Sequence, residues 1–193
     1  MCIRDRFERH RAGVGLQRGG GARLGGKRGS QALNRLRKLG EERTEGLAGR
    51  QPAVAVSCDE MWTYVGARRQ GKRREAWIWT AVVRELDGRR WVDFEVGDRS
   101  EAPFLRLYER LPEAGLYRSD AYAVYVGWFP PRRHVAGKGS AVNWNEGLHS
   151  VWRGKLNRLM RRTKGYTKSV AMLAYSLALV CWQQWEKSNI RVG

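Results

Sequence analysis

A mixed α/β fold is predicted by three features of the sequence. They are a run of three closely spaced strands between residues 53 and 96, a helix linking the third strand to a fourth, and helical patterns after residue 143. Ala53 to Asp59 reads as a strand that Met61 to Val65 prolong. The basic stretch from Ala67 to Arg74 is the expected hairpin loop, and Ala76 to Arg84 is a second strand. Asp87-Gly88 signals a turn before Trp91 to Val96, where apolar residues alternate. Three strands joined by short turns make an antiparallel meander. Ser100 is then a helix cap, and Phe104, Leu105, Tyr108 and Leu111 recur at helical spacing. Leu116 to Asp120 is a short strand, and the helix before it supplies the crossover that parallel pairing needs. A short helix over Ala121 to Val126 and a strand over Arg132 to Ala136 follow. Asn143 or Asn145 caps a long helix from Glu146 to about Arg162, and a last helix covers Ser169 to Lys187.

That order of elements is the order of a ribonuclease H-like domain. Composition places it between residues 53 and 190. Residues 1 to 52 hold 11 of the 23 glycines and 13 basic against 5 acidic residues, the profile of a largely disordered basic arm. Within the arm, Ser30, the leucines at 33, 36 and 39, and Gly40 predict one short amphipathic helix. All nine tryptophans fall in the remainder.

The chain has 193 residues, with 37 basic and 19 acidic side chains and a net charge of +18, which calls for a polyanionic partner. Wholesale disorder is excluded by a hydrophobic content of 42%. Cys2, Cys58 and Cys181 are too far apart for a CxxC pair or a disulfide framework, so a reducing, cytoplasmic setting is expected. The longest apolar stretch, Val170 to Trp182, falls short of the roughly 20 residues that span a bilayer, so no membrane partner is expected.

Acidic residues are scarce, and three of them fall where this fold brings elements together: Asp59 on the first strand, Asp120 at the end of the fourth, and Glu146 on the late helix. Carboxylates from separate elements can hold two divalent cations for phosphoryl transfer on a nucleic-acid backbone. A plain structural reading also accounts for them: a strand end, a helix cap and a first-turn acid. His149, Ser150, Arg153 and Asn157 follow at helical spacing on the Glu146 face. Arg153 would hold a phosphate, or merely face solvent; His149 would position a water or phosphate, or be an ordinary surface or core histidine. Arg153, Lys155, Arg158, Arg161, Arg162, Lys164 and Lys168 put seven basic residues into sixteen with no acid between them, a surface suited to a phosphate backbone. Trp144 and Trp152 are candidates for base stacking, with core packing as the alternative.

Asp59-Glu-Met-Trp-Thr-Tyr-Val-Gly66, Tyr117-Arg-Ser-Asp-Ala-Tyr-Ala-Val-Tyr125, Asn145-Glu-Gly-Leu-His149 with Arg153, and the segment from Leu156 to Ser169 resemble the insertion-sequence-one (IS-one) family of DDE transposases. The resemblance spans about residues 54 to 180. It implies a catalytic core in which Asp59, Asp120 and Glu146 bind two Mg2+ ions, with Mn2+ as a substitute, and in which Arg153 is the basic residue seven positions after the glutamate. It further implies nicking that frees a 3′ hydroxyl at the element's end, then attack of that hydroxyl on target DNA, within a homo-oligomer that pairs two DNA ends. Glu60, next to Asp59, is expected on the opposite face of its strand and not among the ligands. Family members usually carry a zinc-binding segment and a helix-turn-helix upstream; here residues 30 to 42 resemble only the tail of the latter, and an atypical or truncated start is expected. Two rival functions share these residues: a ribonuclease H-like nuclease or resolvase that cuts without joining, and a catalytically dead DNA-binding remnant.

Overall fold

A computed structural model describes residues 24–47, 55–66, 74–137, 143–159 and 167–189. Its centre is a five-stranded mixed sheet. The meander consists of β1 (Ala55–Val65), β2 (Arg74–Arg84) and β3 (Arg90–Gly97). β1 and β2 pair along their whole length, from Ala55 opposite Arg84 to Val65 opposite Arg74. The turn between β2 and β3 closes with Gly88 at φ 85°, a left-handed conformation open to glycine at little cost. Helix α2 (Glu101–Tyr108) crosses to β4 (Tyr117–Ser119), which pairs parallel with β1 at Val56 and Ser57. Helix α3 (Ala123–Trp128) leads to β5 (His134–Ala136), parallel to β4, and the strand order is β3-β2-β1-β4-β5. With helices packed on the sheet, this is the ribonuclease H-like arrangement that the element order predicts.

The meander is buried on both faces, which explains why β2 reads as an almost unbroken apolar run. One face presents Val56, Cys58, Trp79 and Ala81 to a cluster of aromatic side chains from α2 and α3. In that cluster the Phe104 ring meets Tyr125 edge-on, and Tyr117 stacks on Phe129. The other face presents Met61, Ile78 and Phe94 to Trp152 and to Leu173 and Leu177 of the last helix. Thr80 is the exception in β2, a wholly buried hydroxyl in an apolar strand.

Two helices depart from the sequence reading. The long helix expected from Glu146 to about Arg162 is instead α4 (Asn143–Lys155), followed by a 3-10 turn over Asn157–Leu159. Gly154 costs the last turn about 1 kcal/mol of helix propensity, and a continuing helix would align Lys155 with Arg158 at like-charge spacing. The Leu159 amide bonds the Leu156 carbonyl at 2.8 Å, and the tightened turn delivers Leu159 to the core. The short helix expected around residues 30 to 39 is, conversely, part of α1 (Leu24–Leu47), 24 residues long. It packs along α5 (Val170–Asn189) and buries Ala32, while Arg37 reaches Glu95 on β3 at 3.3 Å. Tertiary contact stabilises what an isolated helix of that composition would not hold. The residues before Leu24 and the expected loop over 67–73 lie outside the described residues. Cys58 and Cys181 are buried free thiols. No helix among the described residues is long and apolar enough to cross a membrane.

Candidate metal centre

The site forms where β4 stops pairing with β1. β4 covers only Val56 and Ser57, so past Asp59 that edge of β1 is released until Val65 meets Thr167, while β4 ends and hands the chain to Asp120. Asp120 Oδ1 accepts the Tyr122 amide at 3.0 Å, a local turn that starts α3 and aims the aspartate back toward β1. Asp59, Glu60 and Asp120 each offer a carboxylate oxygen within 4.8 Å of the others'. Glu146, in the first turn of α4, is exposed and stands outside this group of three, but its charge acts on Asp59. Burial, with added repulsion from Glu60, Asp120 and Glu146, pushes the Asp59 carboxyl up to about 7.

Glu60 is the residue that sequence reasoning missed. Its position on β1 does alternate with Asp59, and its side chain is nearly buried on the aromatic side of the sheet. At a released strand edge, however, the longer glutamate brings its carboxylate to the same place. Both of its oxygens have partners: Arg99 donates to Oε1 at 2.9 Å and the Tyr125 hydroxyl to Oε2 at 2.9 Å. Arg99 is in turn held over the rings of Trp77 and Tyr122, at 4.4 and 4.6 Å.

Helix α4 lies across the other face, fastened by buried polar groups. Ser57 donates to Asn145 Oδ1 at 2.5 Å, and Asn145 Nδ2 donates to the Thr80 carbonyl and hydroxyl at 3.2 and 2.9 Å. His149 is buried, with Nε2 3.0 Å from Thr80 Oγ1 and Nδ1 3.7 Å from Asp59 Oδ2. Burial, then the nearby charge of Arg153, lowers His149 to about 4, so the imidazole is neutral at physiological pH. Arg153 is half-buried, Lys155 and Lys168 are exposed, and Arg158, Arg161, Arg162 and Lys164 fall where side chains lie outside the described residues. Trp152 is wholly buried in the second core, whereas the Trp144 ring is met by the guanidinium groups of Arg90 and Arg118, at 4.9 and 5.3 Å from its centre.

Carboxylate oxygens are the hard donors that Mg2+ and Mn2+ prefer, and an Asp59 carboxyl that resists ionisation among three other acids is one that a cation would relieve. The donor set thus fits a divalent metal. Residues 53–178, which carry all of these groups, match the model of the IS1 transposase family. The chain belongs to that family. No curated protein matches the chain. Family membership makes transposition its general function, DNA its class of substrate and a divalent cation its cofactor class.

Proposed function

We propose that the chain is a DDE-type transposase in which Asp59, Asp120 and Glu146 hold two Mg2+ ions, and that it cuts DNA at insertion-element ends and joins the freed 3′ hydroxyl to target DNA. The observation that carries this reading is the meeting of Asp59 and Asp120 at the end of β4, with Glu146 close enough to act on Asp59. Bound divalent cations would lower the charge barrier to attack on a phosphodiester and stabilise the leaving oxygen. The chain's own groups supply the rest. Asp59 comes from the sheet, Asp120 from the strand end and the exposed Glu146 from the helix, so the candidate ligands come from three elements. Arg153, one helical turn beyond His149, is placed to bind a phosphate flanking the scissile bond. Lys155 and Lys168 are exposed, and the basic sequence between them, with Arg158, Arg161, Arg162 and Lys164, supplies further positive charge for the DNA. In the first step water attacks phosphorus and the 3′ oxygen leaves as a hydroxyl; in the second that hydroxyl attacks a target phosphodiester and expels another 3′ oxygen. Two element ends must be joined, so the working form is a homo-oligomer on DNA.

Purified protein, Mg2+ or Mn2+, and duplexes carrying an element end test the reading. Cleaved and joined products that vanish in Asp120→Ala are expected. Cleavage without joining from a pre-nicked end would favour the nuclease or resolvase, and metal-independent binding alone would favour a DNA-binding remnant.

A further inference from the structure

Thr80 lies directly opposite Asp59 in the β1–β2 register, and its hydroxyl is the meeting point of three groups. Oγ1 is 2.8 Å from the Asp59 carbonyl oxygen, 2.9 Å from Asn145 Nδ2 and 3.0 Å from His149 Nε2. Thr80 and Asn145 are wholly buried, and His149 is 4% exposed, so water does not share these contacts.

A hydroxyl has one proton and two lone pairs. A carbonyl oxygen cannot donate, so the Thr80 proton goes to Asp59 O. The orientation of the Asn145 amide is fixed independently, because Nδ2 also faces the Thr80 carbonyl and Oδ1 accepts from Ser57. Asn145 therefore donates to one lone pair of Oγ1. The remaining contact, with His149, is satisfied only if Nε2 carries a proton. His149 Nδ1 then presents its lone pair toward the Asp59 carboxyl, 3.7 Å away.

We infer that Thr80 is a positioning residue for the metal site: its hydroxyl selects the Nε2–H tautomer of His149, turns Nδ1 toward Asp59, and through Asn145 seats the helix turn that carries Glu146. One buried oxygen thereby ties together the strand, the helix and the imidazole around the candidate centre. Apolar neighbours on β2 give no other reason for a polar group at this position.

The tautomer is independent of the functional reading above, whereas the effect on catalysis rests on it. The test begins with nitrogen-15 NMR of the full-length, metal-free protein near pH 7.5, with His149 assigned by comparison with His149→Gln. The expected spectrum is a neutral ring protonated at Nε2; a proton on Nδ1 would overturn the inference. Thr80→Val, which keeps the shape and removes the hydroxyl, is expected to lose the single tautomer, and Thr80→Ser to restore it. In DNA cleavage, Thr80→Val should lower kcat by roughly 10 to 100-fold with KM for DNA unchanged, and Thr80→Ser should return it to within a few-fold. If Thr80→Val fails to fold, the wild-type and Thr80→Ser spectra still decide. Wild-type cleavage by a folded Thr80→Val would overturn the positioning role, whereas absence of cleavage by the wild type would instead sink the functional reading and leave the tautomer to stand or fall on the spectra.

Discussion

His149 Nδ1 lies 3.7 Å from Asp59 Oδ2, and neither side chain favours its charged form. Burial keeps the imidazole down near 4 and the carboxyl up near 7. In the metal-free protein between those values the pair is a neutral acid beside a neutral base, not a salt bridge. The carboxylate becomes available when something positive replaces its proton.

Metal binding should therefore be coupled to proton release. Below about pH 7 each ion entering at Asp59 must displace that residue's proton, so Mn2+ affinity should fall about tenfold per pH unit from 7 to 5 and flatten above 7. Calorimetry in buffers of different ionisation enthalpy should find about one proton released at pH 6 and none at pH 8. Affinity that stays constant from pH 5 to 8 would remove Asp59 from the site.

Stability in the presence of a chelator should show the same group with its sign. The folded-state value of Asp59 is raised, so its contribution is fully present below the ordinary carboxyl value of 3.8 and is lost as pH rises through about 7. His149 acts oppositely: its folded value is lowered, so its contribution is present above the ordinary 6.5 and is lost as pH falls through about 4. Asp59→Asn should accordingly be more stable than the wild type at pH 8, by an order of a few kcal/mol, with the gap closing toward pH 4. Urea denaturation at both pH values measures it; an equal gap at each would refute the assignment.

The elements are legible in the sequence to different degrees, and the differences have physical causes. Alternating or continuous apolar runs mark the three strands of the meander, because burial on one or two faces writes directly into sequence, whereas β5 is largely exposed and carries no such pattern. Asp59 and Asp120 stand out, Asp59 as an acid within the apolar β1 and Asp120 as the acid that follows β4. The polar ties of α4 are not legible: Ser57, Thr80 and Asn145 are ordinary residues singly, and they meet only because strands and helix fold together. Glu60 does lie on the opposite strand face from Asp59, as alternation predicts, but that rule fixes Cβ directions and not where a long side chain ends, so it does not reveal that the carboxylates come within 4.8 Å of one another. Helix α1 reads too short because Ser30 looks like a cap and Gly40 like a stop, yet the helix runs through both and through Gly29. The missing side chain of Gly29 lets the helices meet: a Cβ there would lie 2.4 Å from Tyr175 Cβ.

That close approach makes Gly29 a test of whether α1 belongs to the folded unit. Gly29→Ala gains helix propensity yet forces α1 away from α5, and overpacking of this kind costs about 1 to 3 kcal/mol. Denaturation should show net destabilisation, with faster proteolysis between α1 and β1. A stabilised variant would show that α1 does not dock as described.

Phosphate binding should register in the salt dependence of DNA affinity. On duplex DNA, every phosphate neutralised by a basic side chain contributes about 0.9 to the slope of log affinity against log salt. Arg153→Gln and Lys155→Gln should each lower the slope by about that amount, and Arg158→Glu with Arg161→Glu should lower it further. An unchanged slope in all of these variants would take the surface after Glu146 out of the interface.

The most direct measurement is strand transfer from a pre-nicked duplex bearing an element end, with Mg2+ or Mn2+, comparing the wild type with Asp59→Ala, Asp120→Ala and Glu146→Ala. Joined products from the wild type, and none from any of the three variants at unchanged fold and bulk DNA affinity, are the expected result. Metal-dependent joining retained by any one of them would contradict the assignment of that carboxylate, and joining retained by all three would contradict the metal centre itself.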